Sequence, residues 1–270
     1  MHRNRVKAMA LLAVPSALAL LAGWAVGRWC LVIAVIVVAA VNGYVALRSD
    51  TIALGAMRAY PVSEAEQPVL HRVVRELTAP ARVPMPRLYV SPTRAVNAFA
   101  TGRDPAHAAV CCTEGILALL DERELRAVVA HELAHIRRAD TLVSSTAGAV
   151  ASVVMVAASM RGPVGRVLLT LLGPLAAAAV RLTVSPAREY EADAEASRIT
   201  GDPLGLASAL RKLDASTRRL VLPPERDIVA TSHLMIASPL QQTGLAKLFA
   251  SHPPMAERVA RLEQRAGYRR

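Results

Sequence analysis

The sequence predicts a mostly helical α+β protein, in which a globular domain with a small antiparallel sheet is fused to about four membrane-length helices arranged as two hairpins. Three observations predict it. Apolar residues make up 53% of the 270-residue chain but gather in four runs, 8–27, 29–47, 141–160 and 164–184, each close to the length that crosses a bilayer as a helix. The stretches between these runs switch between helical and alternating periodicity, as a mixed soluble domain requires. Residues 131–135 read His-Glu-Leu-Ala-His, a spacing that puts two imidazoles on one helix face.

In chain order, Arg3, Arg5 and Lys7 precede the first apolar run, and the second follows after Gly27-Arg28. A signal peptide would have a shorter apolar stretch and no second run behind it. Residues 1–48 are therefore expected to form a membrane hairpin, with Trp24, Trp29 and Tyr44 as interfacial anchors.

Residues 49–140 read as the first half of the globular domain. Val69, Leu70, Val73, Val74 and Leu77 fall at helical spacing after Pro68, and Ala79-Pro80 ends that pattern. Residues 87–90, 95–100 and 108–113 read as short strands, the last two joined by Gly102-Arg103-Asp104-Pro105, which has turn composition. Asp121 with Glu124 forms a capping box opening the next helix, where Leu125, Val128, Val129, Leu133 and Ile136 bury one face. His131, Glu132 and His135 look elsewhere. The third apolar run follows directly, so this helix is expected to enter the bilayer or stop at its surface, with 141–184 as a second membrane hairpin turning at Arg161-Gly162-Pro163.

Residues 185–270 read as the second half of the domain. Ser185 as N-cap and Pro186 at the first helical position restart a helix, and Asp202-Pro203 opens another, running to about residue 220. Residues 223–239 are loop-like, and 254–265 form a last amphipathic helix carrying Met255, Val259 and Leu262.

A formal charge of +11 suits nucleic acid or an anionic membrane surface, but only 3% of residues are aromatic and no stacking platform is visible, which excludes nucleic acid as a partner. Three cysteines make no disulfide framework; adjacent Cys111 and Cys112 point to opposite faces of a strand and read as small strand residues in a reducing compartment. Counting basic residues at the ends of the apolar runs favours a cytoplasmic globular domain on a multi-pass cell-membrane protein.

Two histidines leave a zinc ion short of the three protein ligands of a catalytic site, whose fourth position holds water. The chain offers His71, His107, His233, His252 and the cluster Glu189, Glu191, Asp193 and Glu195. Glu189 and Asp193 share a helix face while Glu191 points away. Glu189 as ligand, with Asp193 accepting a ligand histidine's N–H, would complete a site and fix the ring's tautomer; a solvated acidic face is the plain alternative.

The spacing His131-Glu132-xx-His135 with Glu189-xxx-Asp193 resembles the gluzincin arrangement, and most of the chain resembles the M48 family of membrane metallopeptidases, its HtpX-like heat-shock branch in particular. The likeness includes Asn97-Ala98-Phe99-Ala100-Thr101-Gly102, Thr113-Glu114-Gly115, Glu189-Tyr190-x-Ala192-Asp193, and Ser251-His252-Pro253-Pro254 with Arg258. It implies a zincin-like domain holding one zinc ion on His131, His135 and Glu189, with Glu132 as general base and Asp193 behind a ligand. It also implies an edge strand at Asn97, Ala98 and Phe99 onto which an extended substrate adds, and His252 and Arg258 near the oxyanion or substrate. The family's Ser-Arg-xx-Glu reads Ser185-Pro186-xx-Glu189 here, with Arg188 beside the ligand.

The expected function is a zinc endopeptidase acting on misfolded or surplus membrane proteins, with protein substrates and the lipid bilayer as partners. Prenyl-protein processing within the same family and a non-catalytic membrane scaffold are the alternatives. An intramembrane site-2-type protease would need an acidic ligand in a later apolar run, and residues 164–184 contain none.

Overall fold

Gly27 sets the first turn of the chain: its φ of 146° lies where a side chain is strained, and it joins α1 (His2–Val26) to α2 (Arg28–Ala56) with no intervening loop. The computed structural model describes residues 2–147, 185–217, 236 and 253–267. The two helices lie against each other, and Ser16 Oγ accepts a 3.0 Å hydrogen bond from Asn42 Nδ2 across the pair. Gly23 allows the approach, because a Cβ there would stand 2.8 Å from Ala34 Cβ. Among the described residues no helix is long and apolar enough to cross a membrane. The hairpin does have an apolar exterior: Leu21, Trp24, Val26, Trp29, Ile33 and Ile36 are each more than half exposed. Most of the second expected hairpin, residues 148–184, lies outside the described residues.

Beyond α2 come β1 (Tyr60–Pro61), α3 (Pro68–Ala81), β2 (Arg87–Ser91), β3 (Ala98–Thr101), a 3-10 turn (Pro105–His107), β4 (Ala109–Thr113), α4 (Glu114–Leu119) and α5 (Glu122–Arg137). After the undescribed stretch follow α6 (Pro186–Thr200), α7 (Pro203–Thr217) and α8 (Met255–Arg265). Pro186 occupies the start of α6 as expected, but Ser185 makes no side-chain capping bond.

The sheet departs from the purely antiparallel expectation. Its order is β1-β2-β4-β3, with β2 and β4 parallel and the other two pairs antiparallel. Residues 92–97 carry the chain from β2 past the position of β4 to the far edge, and the β3–β4 hairpin then returns β4 beside β2 in the same direction. A hairpin read locally cannot show that crossover.

One hydrophobic core unites both halves of the domain. Leu70, Val74 and Leu77 of α3 meet Val128, Leu133 and Ile136 of α5, Leu206 and Leu210 of α7 and Leu262 of α8. A second cluster joins Ala53, Leu54 and Met57 of α2 to Phe99, Ala109 and Cys111, while Cys112 faces the main core, so the paired cysteines do point to opposite sides.

The start of α5 is fixed by a complete capping box, with Asp121 Oδ1 accepting from Glu124 N at 2.9 Å and Glu124 Oε2 from Asp121 N at 3.1 Å. Buried Glu124 also accepts from Ser208 Oγ and Lys212 Nζ, both at 2.6 Å, so the cap ties α5 to α7. Asp121→Ala, which removes only the side-chain cap, is expected to lower stability by about 1 kcal/mol, read as a lower midpoint in urea denaturation at unchanged slope.

Candidate metal centre

α5 is buried along nearly its whole length, so His131 and Glu132 are 1% and 2% exposed while His135 looks toward a partly open side. α6 packs along α5 and brings Glu189 opposite the two rings. His131 Nε2 and His135 Nε2 stand 3.2 Å apart, and the Glu189 carboxylate oxygens lie 3.6 Å from the first and 3.5 Å from the second.

The far nitrogen of each ring is held by a carboxylate. His131 Nδ1 is 3.0 Å from Asp193 Oδ1, and His135 Nδ1 is 3.1 Å from Asp140 Oδ2. With both Nδ1 hydrogens donated outward, each neutral ring turns its Nε2 lone pair toward Glu189. Two lone pairs and a carboxylate at these separations need a positive charge among them, which a proton on His131 or a bound cation supplies, and two imidazole nitrogens plus one carboxylate oxygen form a donor set suited to a divalent transition metal. The residues present therefore fit a metal ion.

The electrostatics follow from burial and these neighbours. Burial works against a charged His131, but Asp193 and Glu189 outweigh it and raise the ring's pKa to about 9. Burial opposes ionisation of Asp193 too, yet Arg258 and His131 bring it down to about 2. Asp140 is likewise lowered to about 2 against its burial, by His135, Arg188 and Arg138. Burial pushes Glu132 above its ordinary value, with Glu189 adding to the rise and the two histidines and Arg258 opposing it.

Of the other candidate ligands, His71 Nε2 meets Val62 O at 2.9 Å and His107 Nδ1 meets Asp104, so neither joins the site. His233 and His252 lie outside the described residues. Glu191 does turn away and pairs with Arg138, while Arg137, polar for its place on α5, pairs with Glu195.

Arg258, which the resemblance puts near the oxyanion or substrate, lies beside the histidine and carboxylate cluster. It is fully buried behind His131, donating to Asp193 through Nε at 2.9 Å and Nη2 at 2.7 Å, with Nη1 3.4 Å from Glu189. It steadies the carboxylate that orients His131. Asn97 O accepts from Thr113 N at 3.0 Å, so the backbone groups of Ala98 and Ala100 point to the outer edge of β3, which pairs with no other strand among the described residues. Ala98 O accepts there from Ile236 N at 3.1 Å, and Phe99 packs its ring against α2.

Asp140 is not among the expected site residues, and its only sequence signal is its nearness to His135.

The family model described as "Peptidase family M48" matches residues 64–266. The chain belongs to peptidase family M48. It is a metalloprotease similar to the protein named "Protease HtpX homolog" from Kineococcus radiotolerans, 55% identical over 89% of this chain and 87% of that one. The protein of the same name from Pseudarthrobacter chlorophenolicus is 47% identical over 98% of both chains. Ste24p of S. mikatae, a solved structure, aligns with a TM-score of 0.48 at 18% identity, over 96% of this chain and 65% of that chain, too remote to add to the M48 assignment.

Because His131 carries a proton until about pH 9 unless a metal displaces it, metal uptake by this M48 site at pH 7 is expected to release about one proton. Apparent affinity should rise about tenfold per pH unit from roughly pH 7 to 9, and calorimetric titration in two buffers of different protonation enthalpy checks the proton count.

Proposed function

We propose that this protease is a zinc-dependent endopeptidase held at the cell membrane, with a cytoplasmic catalytic domain acting on misfolded or surplus membrane proteins. The observation that carries the reading is the convergence of His131, His135 and Glu189 on one point, with Glu132 buried next to His131 in sequence. In this reading His131, His135 and Glu189 hold zinc and Asp193 fixes the tautomer of His131. When bound, the zinc would supply Lewis acidity and lower the pKa of water.

The remaining chemistry belongs to the chain. Glu132 takes a proton from the attacking water and passes it to the leaving amine, and a carboxylate made more basic by burial suits both transfers. In this reading an extended substrate pairs with the outer edge of β3 at Ala100, beyond the Ala98 carbonyl that Ile236 N already occupies, and backbone groups give affinity without demanding a sequence. The apolar exterior of α1 and α2 supports lipid contact, and the basic residues at the ends of the apolar runs support the cytoplasmic placement.

Glu132→Gln is expected to lower cleavage of an unfolded protein by at least about a thousandfold while zinc content stays at one per chain; Glu189→Ala should lose zinc and activity together. Full cleavage by Glu132→Gln would sink the mechanism. For the membrane placement, the chain should stay with the membrane pellet through carbonate extraction, and release into the supernatant would count against it.

A further inference from the structure

We propose that Asp140 is a positioning residue for the metal ligand His135, and that its contact with Asn4 makes docking of the N-terminal helix part of the assembly of the metal centre. The inference rests on the metal-centre reading given above.

The backbone brings Asp140 to the site by a local break. A regular helix would turn residue 140 about 140° away from His135. Instead α5 ends at Arg138, and Ala139 takes a φ of 55°, a left-handed conformation unusual for a residue with a Cβ. Helix resumes over 140–147, and the Asp140 side chain lies back against the His135 ring.

The Asp140 carboxylate is 3% exposed, and both of its oxygens are engaged. Oδ2 faces His135 Nδ1 at 3.1 Å, with Arg138 Nε at 3.5 Å. Oδ1 is held by Arg188 Nη2 at 3.0 Å and by Asn4 Nδ2 at 2.9 Å. One oxygen is thus anchored so that the other is presented to the ring. Asn4 also donates through Nδ2 to Arg138 O at 3.0 Å, so α1 grips both the end of α5 and the carboxylate that follows it. Arg188 precedes Glu189 in sequence, so the same carboxylate ties together the segments bearing two of the three ligands.

The result matches the support of the other ring. His131 is backed by Asp193 and Asp193 by Arg258; His135 is backed by Asp140 and Asp140 by Arg188. Asn4 adds to the second set a contact from an element outside the catalytic core.

The test measures zinc affinity of the full-length chain in detergent by competition with a chromogenic chelator, with thermal unfolding followed in parallel. Asp140→Ala should weaken zinc binding by about 10- to 100-fold, and Asp140→Asn, which keeps an accepting oxygen, should fall between that variant and the unaltered chain. Asn4→Ala should weaken it by about 2- to 10-fold. The double variant should bind no more weakly than Asp140→Ala alone, since Asn4 acts through Asp140. Unchanged affinity in folded Asp140→Ala, or in Asp140→Asn where the alanine variant does not fold, overturns the positioning role. Additive losses in the double variant overturn the coupling to α1. An unaltered chain that takes up no zinc would instead refute the metal-centre reading on which both rest.

Discussion

Two imidazole nitrogens held 3.2 Å apart, with a carboxylate beside them, are the constraint on which the rest of the structure depends. Left to themselves in a poorly solvated interior these groups would separate. Around them Glu132, Glu189, Asp193 and Asp140 are buried against two buried guanidiniums, Arg188 and Arg258. With the rings neutral, as metal binding would leave them, these six buried groups carry two negative charges more than positive, which a divalent cation would offset. The packing of α6 and α8 onto α5 places these charges, and the core that Leu133, Leu210 and Leu262 share supplies the hydrophobic burial that holds them together.

Much of the site was legible because its chemistry is periodic. Four-residue spacing alone puts His131 with His135 and Glu189 with Asp193 on common faces, and each pair meets the other in the fold. Asp140 escaped the same logic for a definite reason. It follows a left-handed residue, and Ala139 gives no sequence hint of that conformation as a glycine would have done. Arg258 escaped in another way: resemblance carried its neighbourhood but not the direction of its guanidinium, which tertiary packing of α8 against α6 decides. The mixed sheet belongs with these, since strand direction beyond a hairpin is set by a crossover and not by alternation within a strand.

The arginine beside the third ligand bears on the one departure from the family pattern. Pro186 starts α6 with a fixed φ and no N–H, which suits the first turn of a helix but supplies no charge. Arg188, two residues on, is 8% exposed and reaches Asp140. The charge near the start of α6 is therefore supplied from within its first turn, on the side of the helix that meets the end of α5.

That pairing also limits where the metal lies relative to the undescribed stretch. In sequence Asp140 shortly precedes residues 148–184 and Arg188 shortly follows them, and these two side chains meet at 3.0 Å. The described segments on the two sides are thus tied by an ion pair next to the ligand His135. The core is likewise shared by α5 before that stretch and α6 and α7 after it, so the two halves of the domain are held together by packing as well as by this carboxylate. Asn4 of α1 reaches the same carboxylate from the N-terminal hairpin, so three segments far apart in sequence meet beside the ligand His135.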